Sequence, residues 1–322
     1  MDDRLVTFEA LMCGKLLGDG YLSRDKEQSR LQFRHSIKDQ GYVYEQLGLF
    51  SQFLRFGKTN PYTYVYQDKR TGRKYTTLVC QSHQDERLTQ FRKIWYRKNR
   101  KIVPNDFLYQ HFNALSLAIW FQDDGSVKSH RRLILSTDSF TEQEINELRR
   151  LLMTKFSIHS HMDHQKRIDI CSRKDVELFL ITVEPFLFPS MRRKTLGSYY
   201  DALKQETTKL LNDWKKGTAQ LTRITTVYLP STIKDQLQAF RSHSRVLNHI
   251  LPLKQELELI HQPQYRKERI LISKQLDSYE HREQLRIYIN GLHLQALKLL
   301  KKWTGIEISE YIALLIQEHF RY

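Results

Sequence analysis

Two stretches of the chain end an apolar, helix-like run on an acid followed by glycine: MCGKLLGDG (12–20) and LAIWFQDDG (117–125). At a helix C-terminus the backbone carbonyls already make the field negative, so a carboxylate placed there needs compensation. If the two helices meet at a pseudo-dyad, the carboxylates of Asp19 and Asp124 come close together. Like charges at short range then share a proton or hold a cation between them. Mg²⁺ fits the second option, because it takes one or two carboxylates together with phosphate and water oxygens. Metals so placed stabilise the attacking and leaving oxygens of phosphodiester hydrolysis. A single Asp-Gly after a helix is an ordinary stop; two in matching positions, each followed by a strand pattern, point to a shared centre.

The surrounding elements repeat as the acids do. Residues 5–17 carry apolar positions at helical spacing, and Gly18-Asp19-Gly20 ends the pattern. In RLQFRHS, Leu31 and Phe33 alternate with Arg30, Gln32, Arg34 and Ser36, as in a strand with one packed and one open, basic face. A helical stretch near 39–55 leads to PYTYVYQDKRTGRKYTTLVCQS, two alternating runs joined at Arg-Thr-Gly, with Tyr62, Tyr64 and Tyr66 on one face. HQDERLTQFRKIWYRKNRK returns to helical spacing and ends in a basic cluster before Pro104. The order then restarts with a helix at 113–122, strands in SVKSHRRLILSTDS, the helix TEQEINELRRLLMTKFS, strands near 158–172 and a helix at 174–187. The expected fold is α+β, a pseudo-two-fold αββαββα repeat whose two antiparallel sheets form a saddle. Its halves are 1–108 and 109–205.

A formal charge of +16 favours a polyanionic partner. Cys13, Cys80 and Cys171 are odd in number and lie outside any Cys-x-x-Cys pairing, which argues against a disulfide framework or a cysteine zinc site. MDDRLVTFEA lacks the basic start and apolar core of a signal peptide, and no run is long enough to span a membrane. The reading is an intracellular protein of the cytoplasm, nucleoid or an organellar matrix, without a membrane partner.

MCGKLLGDG and LAIWFQDDG resemble the paired signature helices of LAGLIDADG homing endonucleases in their single-chain form. The likeness extends through LSTDSFTEQEINELRRLL (135–152) and PFLFPSMRRK (185–194), covering about residues 5–200. The resemblance implies that Asp19 and Asp124 are the metal-binding, catalytic acids. It further implies that the strands lie in a DNA major groove and that both strands of a long site are cut with Mg²⁺ by a monomer. It also implies a basic residue late in each half, best matched by Lys101 and Lys194. Two departures stand out. The third signature position is Gly14 in one copy and Ile119 in the other, and the second copy has adjacent acids, with Asp123 about 100° from Asp124 around a helix. The role of Asp123 stays open.

An antiparallel ribbon fits the major groove, where polar side chains read base edges. Candidate DNA contacts on the open faces are Arg30, Gln32, Arg34, the hairpin from Tyr62 to Lys74, Lys128, Arg132 and Arg167. HSHMDH (159–164) holds three histidines and an acid, but its place in a hairpin favours a loop or DNA contact over zinc.

Beyond residue 205 the signature pattern ends. RITTVYLPSTIKDQLQAF (223–240) and QLRIYINGLHLQALKLL (284–300) each read as a short strand followed by an amphipathic helix. SRVLNHIL (244–251) and SEYIALLI (309–316) continue each copy with a serine suited to an N-cap. Strand, helix, helix occurs twice, joined by a charged, mostly helical stretch at 253–283. This is similar to ribbon-helix-helix DNA-binding proteins, and it implies a mostly helical C-terminal domain (218–322) with short ribbon strands. Its outward positions would be Thr226, Tyr228, Arg286 and Tyr288. The function read from these features is a site-specific DNA endonuclease encoded by a mobile element. Alternatives on the same scaffold are an intron RNA maturase and a DNA-binding regulator without cleavage; retention of both acids favours cleavage.

Overall fold

The structure, a computed structural model, describes residues 6–23, 28–216, 223–231, 233, 237, 251–276, 282–289 and 291–319. Contacts divide these into two compact units, Met1–Cys171 with Thr182–Thr195, and Ser172–Ile181 with Leu196–Tyr322.

The first unit runs α1 (Phe8–Leu17), β1 (Tyr21–Leu22), β2 (Leu31–Ser36), α2 (Gln40–Phe50), β3 (Tyr62–Gln67), β4 (Lys74–Gln81) and α3 (Glu86–Trp95). A small hairpin, β5 (Tyr96–Arg97) with β6 (Arg100–Lys101), and α4 (Asn105–His111) lead to the second copy. That copy comprises α5 (Ala114–Asp124), β7 (Gly125–Ser129), β8 (Arg132–Leu135), α6 (Glu142–Phe156), β9 (His161–Met162), β10 (Ile168–Ile170) and α7 (Arg173–Val183). The expected αββαββα order is present twice. The two sheets share one topology, β1-β2-β4-β3 and β7-β8-β10-β9, and every pairing in them is antiparallel.

In β2 alternation separates the two faces, with Leu31 and Phe33 buried and Arg34 exposed; in β4, paired to it, Leu78, Val79 and Cys80 are all buried, so both faces are covered there. Burying one such face removes the apolar side chains from water, which drives the layer together.

Local signals set the two signature helices. Thr7 caps α1 by accepting from the Ala10 N–H at 3.1 Å. Asn113 and Ser116 form a reciprocal capping box on α5. The Ser116 hydroxyl also donates to the Ala10 carbonyl at 2.7 Å, tying the start of one helix to the other. The helices approach so closely that a Cβ on Gly14 would stand 2.4 Å from the Ser116 carbonyl oxygen. One on Gly18 would stand 2.5 Å from Asp123 Oδ2. The lack of a side chain at Gly14 is what accommodates Ile119 at the matching position of α5, whose Cβ would be 2.9 Å from a Cβ on Gly14.

One sequence expectation is corrected here. The helical pattern through WYRKNRK stops at Trp95, and the chain doubles back as β5–β6 around Lys98, whose φ is +52°. The Tyr96 hydroxyl accepts from the Leu22 N–H at 3.2 Å, anchoring the hairpin to the strand that follows α1. These tertiary contacts override the helical spacing and carry Lys101 back toward the end of α1.

In the second unit, α8 (Gly197–Lys215), β11 (Arg223–Pro230), α9 (Leu253–Leu259), α10 (Pro263–Leu276), β12 (Arg282–Ile289), α11 (Gly291–Thr304) and α12 (Ile308–His319) follow in order. Most of α7 groups with this unit: the buried Glu177 accepts from Arg266 Nε at 2.9 Å and from the Tyr200 hydroxyl at 2.7 Å. β11 and β12 pair antiparallel over eight residues each, with Val227, Leu229, Ile287 and Ile289 buried and Thr226 and Tyr228 exposed. Register sets residue 286 opposite Thr226 and residue 288 opposite residue 224; the side chains of Arg286 and Tyr288 lie outside what is described. The helices expected at 231–240 and 244–251 fall largely outside the described residues. Among those described, no helix is long and apolar enough to cross a membrane.

Candidate active site

Both acids stand where the signature helices end. Asp19 follows Gly18, the C-cap of α1, and Asp124 is the last residue of α5. Each helix end is met by a lysine delivered from late in its half. Lys101 Nζ donates to the Gly18 carbonyl at 3.1 Å. Lys194 Nζ donates to the Gln122 carbonyl at 2.6 Å and reaches those of Phe121 and Asp123 at 3.4 and 3.3 Å. Each ammonium therefore counters the negative end of one helix beside the acid that the helix presents.

The adjacent acid turns inward. Asp123 is fully buried, and its carboxylate accepts five hydrogen bonds. Lys15 Nζ bridges both oxygens at 3.0 and 2.9 Å, the Tyr42 hydroxyl donates at 2.7 Å, Gln46 Nε2 at 3.0 Å and the Asp19 backbone N–H at 3.1 Å. Burial alone would raise its pKa, but Lys15, His35 and the donated hydrogen bonds outweigh burial and hold it below the ordinary carboxylate value. Asp123 thus belongs to a polar core between α1, α2 and α5, and it grips the backbone of the residue that carries Asp19.

His35 completes this core. Its side chain lies 3.4 Å from Asp19 Oδ2 through Nδ1 and 3.6 Å from Asp123 Oδ1 through Nε2, and burial followed by the Lys15 charge lowers its pKa. Among the described residues, Asp19, His35 and Asp123 are the group whose ligand atoms converge within 4.8 Å. Of the two carboxylates in it, Asp19 is open, 40% exposed, whereas the lone pairs of Asp123 are taken by internal donors. Proximity alone therefore overstates Asp123 as a ligand.

Asp124 differs in being under-compensated. Burial, and then the negative charges of Asp19 and Asp123, push its pKa up to about 7, against opposing pulls from Lys101 and Lys15. Asp19 is likewise raised, by burial and then by Asp123. Burial lowers Lys101 to about 8, and it lowers Lys194 as well. Asp124 is not in the converging group, but the charge of Asp19 hinders its ionisation, and acids coupled in this way, with hard oxygen donors, are a chemical environment that a divalent cation relieves.

The structure brings Asp19, Asp124, Lys101 and Lys194 into one electrostatic neighbourhood. Lys15, His35, Tyr42 and Gln46 were not foreseen in the sequence. Lys15 interrupts the apolar run of the first signature and was the available signal; the other three come from β2 and α2, and no spacing links them to the acids. On the sheets, Gln32 and Arg34 share the open face with Tyr62, Tyr64 and Tyr66. Two expected DNA contacts are held by internal acids: Arg132 pairs with Asp169 at 2.7 Å and Arg167 with Asp163 at 2.6 Å. Lys74 and Lys128 are exposed, and Arg30 is half-buried. The histidines of HSHMDH form no three-ligand cluster among the described residues.

Two helices in contact, each ending in an acid beside a lysine, with the same sheet topology repeated in each half, have the form of a two-motif nuclease scaffold. Residues 9–177 match the model of the LAGLIDADG DNA endonuclease family. This chain belongs to that family. It is similar to "Probable intron-encoded endonuclease 1" of Wickerhamomyces canadensis, with 25% identity over 196 residues that cover 58% of this chain and 83% of the relative. It is 27% identical over 195 residues, 59% of this chain and 73% of the relative, to "Cytochrome b mRNA maturase bI2" of Debaryomyces hansenii. Among solved structures it resembles the homing endonuclease I-WcaI bound to its DNA recognition sequence. There the TM-score is 0.53 and the identity 26%, over 60% of this chain and 86% of that one.

The raised pKa of Asp124 has a testable consequence. An acid whose folded pKa, about 7, exceeds its ordinary 3.8 makes the fold bind more protons than the unfolded chain, so stability falls as pH rises between these values. In metal-free buffer, Asp124→Asn is expected to be more stable to denaturant than the unaltered chain at about pH 8, with the difference vanishing below about pH 4. Equal stability of the two proteins at the higher pH would contradict the electrostatic reading.

Proposed function

We propose that this chain is a homing endonuclease that makes site-specific double-strand breaks in DNA by Mg²⁺-dependent phosphodiester hydrolysis, and that a mobile element encodes it. The supporting observation is the pair of helix-end acids, each beside a lysine that caps the same helix. In this reading residues 1–108 and 109–205 form the two halves, acting together as a monomer on a long duplex site. Asp19 and Asp124 hold the metal, which when bound supplies charge to the attacking and leaving oxygens of the phosphodiester. Asp123 and Lys15 hold the backbone of Asp19 in place. Lys101 and Lys194 offer N–H donors beside the acids, placed to meet phosphate charge. Gln32, Arg34, Lys74 and Lys128 contact DNA in the major groove or its phosphates, and Arg132 and Arg167 join them where phosphate competes with their internal acids.

The maturase among the relatives favours a second reading, in which intron RNA is the partner and cleavage is lost. A supercoiled plasmid carrying the element's insertion site separates the two. With Mg²⁺ the unaltered chain is expected to linearise it, while Asp19→Asn and Asp124→Asn each lower cleavage by at least about a hundredfold and still retard the duplex. Undiminished cutting by either variant would remove its acid from the mechanism, and RNA binding without any cutting would support the maturase reading.

The C-terminal segment 218–322 is proposed as an added DNA-binding module that reads or grips duplex through its β11–β12 ribbon. The eight-residue antiparallel pairing, with Thr226 and Tyr228 exposed over a buried aliphatic face, supports this role. The full-length double variant Thr226→Ala/Tyr228→Ala should retard random-sequence duplex several-fold more weakly. Unchanged affinity would remove the ribbon from the DNA interface.

A further inference from the structure

Strand β3 sits at the edge of the first sheet and is exposed along its whole length. Tyr62, Tyr64 and Tyr66 are 37%, 48% and 40% exposed, a concentration of aromatic surface that folding does not bury. They form a ladder: the rings of Tyr64 and Tyr66 stack with centroids 6.3 Å apart, and Tyr66 stacks on Tyr75 of β4 at 5.5 Å. Register places this ladder on the same face as Arg34, because Tyr62 and Arg34 both stand opposite Val79 from either side. It is therefore continuous with the open, basic face assigned to DNA above.

The hairpin that carries the ladder is braced. Asp68 Oδ1 accepts from the N–H groups of Arg70 and Thr71 at 2.7 and 3.1 Å, and Gly72 takes a φ of +69° that other residues rarely adopt. Around this turn Lys69, Arg70, Arg73 and Lys74 are all exposed, so an apolar stripe is flanked by cations suited to phosphates. Within duplex DNA the base faces are stacked and closed to the rings. In the major groove the apolar group that a base edge offers is the C5-methyl of thymine. Residues i and i+2 of a strand are about 6.8 Å apart, which is two base steps of about 3.4 Å.

Resting on the reading that this face takes duplex DNA, we propose that Tyr62, Tyr64 and Tyr66 are specificity residues that recognise thymine methyl groups spaced two base steps apart. The ring surface, and not the phenol hydroxyl, performs the recognition. Each methyl covered excludes water from one more carbon, a gain of about fourfold in affinity.

The test selects duplexes from a random pool by retardation with the full-length chain in EDTA. A selected duplex is then remade with deoxyuridine in place of thymidine, which removes the methyl and leaves every hydrogen-bonding group. The unaltered chain is expected to recover thymines at two-step spacing and to lose about fourfold in affinity for each one replaced. Tyr62→Phe/Tyr64→Phe/Tyr66→Phe should keep that preference, and Tyr62→Ser/Tyr64→Ser/Tyr66→Ser should bind both forms equally. Equal binding of both forms by the unaltered chain overturns the proposal, as does a preference that survives in the serine variant or disappears in the phenylalanine variant. A chain that retards no duplex overturns the DNA reading itself together with the proposal, and the lack of any shifted band distinguishes that outcome.

Discussion

The buried pair of Lys15 and Asp123 is the constraint on which the site depends. Neither side chain retains solvent exposure, and they sit 2.9 Å apart on the two helices whose ends carry the acids. Taking an ammonium and a carboxylate out of water costs several kcal/mol per ion, roughly, and only close geometry with further hydrogen bonds offsets this. Tyr42, Gln46 and the Asp19 N–H supply those bonds. Because Gly14 and Gly18 let the backbones approach, the pair forms where the helices cross. The contact that joins the helices thus also fixes the position of Asp19.

This arrangement makes the two ends of the helix pair chemically unequal. The α1 end has a histidine and an internally satisfied acid beside Asp19, and the α5 end leaves Asp124 with a pKa near 7 beside Lys194. The strand topology is the same in both copies, while the polar core takes Lys15, His35, Tyr42 and Gln46 from the first and Asp123 from the second.

The repeat was legible in the sequence because hydrophobic period and Gly-ended helices are local signals. LLGDG and FQDDG mark both helix ends, and the alternation in RLQFRHS marks which sheet face is open. Asp123 was not legible: its partners Lys15, His35, Tyr42 and Gln46 lie about 80 to 110 residues upstream, and adjacent acids at a helix end give no indication of which one turns inward. Lys101, named by resemblance, lies against the Gly18 carbonyl at the end of α1, while the helix expected to lead to it is replaced in its last turn by a hairpin held by Tyr96. The acid partners of Arg132 and Arg167 were missed because Asp169 stands within an apolar strand and Asp163 within a turn.

A double-mutant cycle between Lys15 and Asp123 tests the central claim most directly, using Lys15→Met, Asp123→Asn and the two combined, with stability read from denaturant unfolding. Breaking a buried pair by removing one partner costs about 3–5 kcal/mol, so the account predicts that Lys15→Met alone falls in this range. It also predicts that the combined variant loses far less than the sum of the single losses. Additive single losses, or a Lys15→Met variant as stable as the unaltered chain, would show that the helix crossing does not depend on the pair.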